Sequence, residues 1–330
     1  MIKKIIGTVL ICTLLIGCLS GCSAPEKLKK LNSDKIQVVT TIFPEYDWVK
    51  NVLGENKDNI DLTLLLDNGV DLHSYQPTTD DILKISTCDM LIYVGGESDG
   101  WVEDAIKTAE NKDMIVINLL DTLGDKVKEE EIVEGMESED EEAEETEEAE
   151  EIENDEHVWL SLKNAEVIVD EITDGLCKLD EKNKDSYTKN AKEYKNSLAE
   201  LDKKFEENIK ESTNDTILVA DRFPFRYLVD DYNIKYYAAF AGCMAETEAS
   251  FETITFLANK IDELKLENIF IIDGSDGKIA DTVIKNSGRK DVTVLELNSM
   301  QSVTNKDISN SMDYLSIMEY NLSVLEEALK

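Results

Sequence analysis

Apolar runs of strand length alternate with amphipathic stretches of helix length along most of this chain, and that alternation leaves few folds open to it. Residues 36–43, 60–66, 90–94 and 114–119 read as strands, with helices expected between them at 45–54, 79–86 and 100–110. A second block repeats the scheme, with strands at 216–220, 235–240, 268–272 and 292–297 and helices near 224–232, 250–264, 278–287 and 309–329. Strands separated by helices pair in parallel and need both faces covered. The expected fold class is therefore α/β, with two lobes that each hold a mostly parallel four-stranded sheet flanked by helices.

Between the blocks, Tyr187, Ala191, Tyr194, Leu198, Leu201, Phe205 and Ile209 recur at steps of four and three with charges interspersed. One amphipathic helix over 184–211 satisfies this pattern and would extend about 40 Å at ~1.5 Å per residue, long enough to brace two lobes against each other. The expected organisation is an amino-terminal lobe at 36–165, a linking helical segment at 166–212 and a carboxyl-terminal lobe at 213–330.

The amino end follows different rules. Lys3 and Lys4 precede an uncharged apolar stretch over 5–19 that is short for a bilayer span and reads as a signal peptide over 1–21. It ends in Leu19-Ser20-Gly21-Cys22, which resembles a bacterial lipobox; a competing one, Leu15-Ile16-Gly17-Cys18, would cut the apolar region shorter. Acylation of Cys22 would anchor the mature chain to the membrane on its extracytoplasmic side, through a tether at 22–35. Processing would leave Cys88, Cys177 and Cys243, an odd number for which no disulfide is expected.

A formal net charge of −37 argues against nucleic acid as a partner, because phosphates would be repelled, and suits cationic ligands. About half of that charge lies in an acidic loop at 129–156 that has no Lys or Arg; such a run repels itself, should be disordered, and would raise the local concentration of cations. The chain has two histidines, His73 and His157, each in a loop beside acidic residues. Neutral imidazole is a common ligand for Zn²⁺, and carboxylates complete coordination spheres of this kind. A metallohydrolase could use the same groups, but there is no His-Glu-x-x-His, no nucleophile elbow and no third histidine to act as a base.

Phe43-Pro44-Glu45-Tyr46-Asp47-Trp48, the loop from Gly69 to Pro77, Asp155-Glu156-His157-Val158-Trp159-Leu160, Phe225-Arg226-Tyr227-Leu228 with Asp230-Asp231-Tyr232, and Ala245-Glu246-Thr247-Glu248-Ala249-Ser250 occur in that order. Together they resemble the cluster A-I solute-binding proteins of zinc and manganese ABC importers. The resemblance implies two α/β lobes joined by a single rigid helix, with metal held in the cleft between them. It places His73 and His157 at the first two ligand positions and implies delivery to an ABC permease by a monomer. The acidic loop matches zinc-carrying members, and imidazole donors prefer Zn²⁺ to Mn²⁺, which leaves manganese as the alternative cargo. A surface adhesin is a further role associated with such proteins.

The third position departs from the family pattern. A His or Glu is usual there, and Arg222, which cannot ligate, stands in its place. Asp221, at the carboxyl end of an expected strand, is the preferred substitute. Glu246 and Glu248 are additional candidate donors, and the fourth position falls to Asp273 or Asp276, between which the residues do not choose.

Overall fold

In the computed structural model, residues 34–137, 153–244 and 248–330 are described. The signal segment, Cys22, most of the tether, the middle of the acidic run at 138–152, and Glu246 lie outside the described residues. In chain order the amino-terminal lobe runs β1 (Ile36–Thr40), α1 (Phe43–Leu53), β2 (Ile60–Leu64), α2 (Thr79–Thr87), β3 (Met90–Tyr93), α3 (Gly100–Thr108), β4 (Ile115–Asn118) and α4 (Leu119–Leu123). Two long helices follow, α5 (Leu162–Leu179) and α6 (Lys184–Glu211). The second lobe runs β5 (Thr216–Arg222), α7 (Arg226–Tyr232), β6 (Lys235–Phe240), α8 (Phe251–Leu264), β7 (Asn268–Ile272), α9 (Lys278–Asn286), β8 (Thr293–Leu297), α10 (Asn305–Ser309) and α11 (Tyr314–Leu329).

Each lobe has a four-stranded sheet in which all pairings are parallel, ordered β2-β1-β3-β4 in the first and β6-β5-β7-β8 in the second. The central strand β3 is buried along its whole length, as expected when helices cover both faces of a sheet, whereas the edge strand β8 is exposed at Thr293, Val294 and Glu296. Helix α6 spans the 28 residues that the apolar periodicity marks out, and its stripe of Tyr187, Ala191, Tyr194, Leu198, Leu201 and Phe205 is buried. It packs on α5 and on α1 of the first lobe and on α11 of the second, so one rigid rod supports both sheets. Trp48 of α1 meets Tyr314 of α11 edge-on at 5.3 Å, which joins the lobes on the same side.

Three expectations need correction. Helix α5 starts at Leu162, where the Ser161 side chain accepts a hydrogen bond from Asn164 N, so a lobe boundary at 165/166 falls inside a helix. The helix expected at 309–329 starts only at Tyr314, after a separate short helix that ends at Ser309. Ser311 has φ +68, and the Asp313 side chain accepts from Ser316 N to start α11 afresh. The acidic run is also not free at its ends. Glu129 bridges Asn154 in antiparallel fashion, and Glu137 bridges Phe240 at the edge of the second sheet. Backbone pairing, together with ion pairs from Glu131 to Arg226 (2.9 Å) and from Glu134 to Lys260 (3.6 Å), holds residues 129–137 against the second lobe despite their charge.

Candidate metal centre

The loop after β2 delivers His73. Asp71 Oδ1 accepts from His73 N at 2.9 Å to cap a single 3₁₀ turn, Leu72–Ser74, and Leu72 anchors that turn with 1% exposure. The other lobe holds the loop from outside. Arg222 donates to Asp71 Oδ2 at 2.7 Å, Gln301 Nε2 donates to Asp71 Oδ1 at 3.2 Å, and Asn305 N donates to Asp67 O at 2.8 Å. Gly69, at φ +76, passes so close that a Cβ there would sit 3.0 Å from Ser302 O. Burial disfavours a charge on Asp71, but the Arg222 guanidinium prevails and holds its carboxyl below the usual range.

His157 enters from the segment that precedes α5 and is fully buried. Asp155 Oδ1 accepts from both His157 N (2.8 Å) and His157 Nδ1 (3.0 Å). A carboxylate can only accept, so the proton is on Nδ1 and the Nε2 lone pair is free for a cation. His73 Nδ1 is likewise engaged, by Ser98 Oγ at 2.7 Å, and its Nε2 lies 3.0 Å from His157 Nε2. Two nitrogens bound to one tetrahedral zinc ion at about 2.0–2.1 Å would be ~3.3 Å apart, close to this separation.

The electrostatics allow this pair one positive charge and not two. Burial, followed by the neighbouring His157, drives the His73 pKa down to about 3. Burial also opposes charge on His157, but the Asp155 carboxylate outweighs it and raises the His157 pKa above its ordinary value. A proton or a single metal ion can therefore occupy the gap between the Nε2 atoms. Glu156 adds a negative wall: its Oε1 accepts from Ser98 N at 3.0 Å, while its buried Oε2 has no hydrogen-bond partner and lies 3.7 Å from His73 Nδ1.

Among the described residues, the donor atoms that lie within 4.8 Å of one another in a group of three belong to His73, His157 and Cys243. Cys243 follows β6 in the second lobe and was not expected among the ligands. The only sequence signal for it is its place just past the carboxyl end of a strand, where ligands of open α/β sheets gather. Asp221, Asp273, Asp276 and Glu248 are placed differently, around a pocket of about 490 Å³ that Asp71 and Arg222 also line. Asp221 accepts from Arg222 N at 2.9 Å and from Ser275 Oγ. Asp273 is saturated by the amides and hydroxyls of Ser299 and Ser302, and Asp276 pairs with Lys278 at the surface. None of Asp221, Asp273 and Asp276 falls in the group that holds the imidazoles.

Buried carboxylates near these loops set the response to pH. Burial raises Glu45 to about 8, Asp47 to about 6 and Asp99 to about 7. A group whose pKa is higher in the folded state favours folding in acid, and that contribution is lost as pH rises through the folded value. The midpoint of thermal unfolding of the metal-free protein should fall by at least about 5 °C between pH 5 and pH 8.5, as calorimetry can check.

Known proteins resemble this chain over nearly its whole length. Residues 38–328 match the family model described as zinc-uptake complex component A, periplasmic. The high-affinity zinc uptake system protein ZnuA of Bacillus subtilis is 31% identical over 331 residues, covering 100% of this chain and 99% of that protein. The crystal structure of the Zn(II)-bound ZnuA-like domain of Streptococcus pneumoniae AdcA superposes with a TM-score of 0.69 at 27% identity, covering 89% of this chain and 99% of that one. The structure of the metal-dependent lipoprotein YcdH of Bacillus subtilis gives a TM-score of 0.72 at 26% identity, covering 90% of this chain and 100% of that one.

Proposed function

Because the chain belongs to the periplasmic zinc-uptake component A family, we propose that it captures a zinc ion between its lobes at His73 and His157 and hands it to the permease of an ABC importer. One observation supports this reading above the others: two buried imidazoles, each with its Nδ1 engaged, face one another through Nε2 at 3.0 Å. Such a pair is preorganised for a single cation. As a component of an uptake complex the protein is a carrier and not an enzyme, and zinc is its cargo.

Nitrogen donors select Zn²⁺ over Mn²⁺ by the general order of complex stability. Asp155 and Glu156 offset the charge of a bound dication without ligating through the Nε2 side. Lipidation at Cys22, which would tether a single copy to the outer face of the cell membrane, is supported by the Leu19-Ser20-Gly21-Cys22 sequence and by the lipoprotein description of the Bacillus subtilis structure. Among the described residues no helix is long and apolar enough to cross a membrane.

The test is elemental analysis of the purified protein, with competition between the two metals. One zinc ion per chain is expected, and zinc should displace manganese when both are offered at equal concentration. A chain that retains manganese against zinc, or binds neither ion, would overturn this assignment.

A further inference from the structure

We propose that the Cys243 thiolate is the third protein donor to the metal ion, completing a two-nitrogen, one-sulfur set in place of the imidazole or carboxylate that Arg222 has displaced. This inference rests on the zinc-capture reading and assigns the chemistry of the same site.

The geometry supports it from several directions. The Cys243 sulfur is grouped with a ring nitrogen of each histidine, all within 4.8 Å of one another, and it comes from the lobe opposite to theirs. In a tetrahedral zinc site with Zn–S of about 2.3 Å and Zn–N of about 2.0–2.1 Å, sulfur and nitrogen lie ~3.6 Å apart. From the 4.8 Å limit on the present separations, a shift of about 1 Å would reach that distance. The preceding residue must be small for the approach, because a Cβ on Gly242 would meet Phe223 O at 2.9 Å and His157 Cε1 at 3.0 Å. The Cys243 backbone is fixed from the other side, where its N–H donates to Glu130 Oε1 at 3.1 Å. Glu130 belongs to the segment clamped onto the second lobe, so the acidic run helps to position this thiol.

Several of the alternative donors are committed elsewhere. Arg222 turns away to bond Asp71 at 2.7 Å and Met244 O at 3.4 Å. Asp221 and Asp273 are held by serines around the neighbouring pocket. With both histidines on one lobe, Cys243 is the described side chain that brings a donor to them from the second lobe.

The charge balance is simple. Binding forms a Zn–S bond, the thiol proton leaves to solvent, and the ion with its thiolate has a net charge of +1. A soft sulfur donor also strengthens preference for zinc over manganese, which favours oxygen ligands.

Cobalt(II) in place of zinc provides the test, since sulfur ligation gives an intense near-ultraviolet charge-transfer band that nitrogen and oxygen ligation do not. The cobalt-loaded wild-type protein should show this band, Cys177→Ser should retain it, and Cys243→Ser should lose it with at least about a tenfold loss of zinc affinity. Should Cys243→Ser fold poorly, zinc should still protect Cys243 of the wild-type protein from alkylation, as read by peptide mass. A wild-type cobalt protein without the sulfur band, wild-type zinc affinity in Cys243→Ser, or alkylation of Cys243 unaffected by zinc would overturn the proposal. In each of those cases zinc capture by the histidines would still stand if the wild-type protein binds one zinc ion, and would fail separately if it binds none.

Discussion

His73→Ala lowers zinc affinity by more than about 100-fold, because even a partner one shell outside a metal commonly costs 10–100-fold when removed and His73 is expected to touch the ion itself. Its Nε2 lies 3.0 Å from that of His157, so the substitution removes half of the imidazole pair. The effect should be local. The loop is held by Leu72 in the core, by Asp71 against Arg222 and by Asp67 against Asn305, none of which depends on the His73 ring. The metal-free variant should therefore unfold at nearly the wild-type temperature. Competition against a chromogenic chelator measures the affinity, and a variant that still holds one zinc ion with wild-type strength would remove His73 from the site.

Trp159→Ala is expected to destabilise the metal-free protein by about 3–5 kcal/mol, the range for large aromatic side chains lost from a packed core. Trp159 is 1% exposed, and its ring forms a wall of the His157 pocket at 5.2 Å between centroids. Its Nε1 donates to Ser299 O at 2.9 Å, and its own carbonyl accepts from the Tyr314 hydroxyl at 2.7 Å, so it ties the His157 turn to the second lobe. Truncation leaves a cavity beside His157 and an unpaired carbonyl at Ser299. Zinc affinity should fall along with stability, since the ring is no longer confined to the orientation that faces His73. Differential scanning calorimetry with and without zinc separates the two effects, and a Trp159→Ala melting profile like the wild type's would refute this role.

The two sheets and the rod between them were legible because their signals are local. A strand buried on both faces must be a continuous apolar run, as Met90–Tyr93 is, and a long helix with one buried face must repeat at steps of three and four, as Lys184–Glu211 does. Where local signals compete, reading along the chain was less accurate. Apolar periodicity continued through the break before Tyr314 because it ignores the left-handed Ser311 and the cap at Asp313. Composition alone marked residues 129–156 as unstructured, yet the two ends of that run pair with each other and Glu137 finds a backbone partner at the distant Phe240.

Which residues the sequence by itself could nominate as ligands followed from type and scarcity. Only two histidines exist, and both sit in loops rich in acids. Which donors converge was decided only by the tertiary structure. Asp221, Asp273 and Cys243 all follow or end strands of the second lobe and look alike in a linear reading, but serines engage the two aspartates while the close approach permitted by Gly242 brings Cys243 to the imidazoles. Secondary structure is written by short-range periodicity in the chain. A coordination sphere depends on angstrom-scale meetings between segments distant in the chain, His73 and His157 being 84 residues apart, and those are set by how the lobes pack.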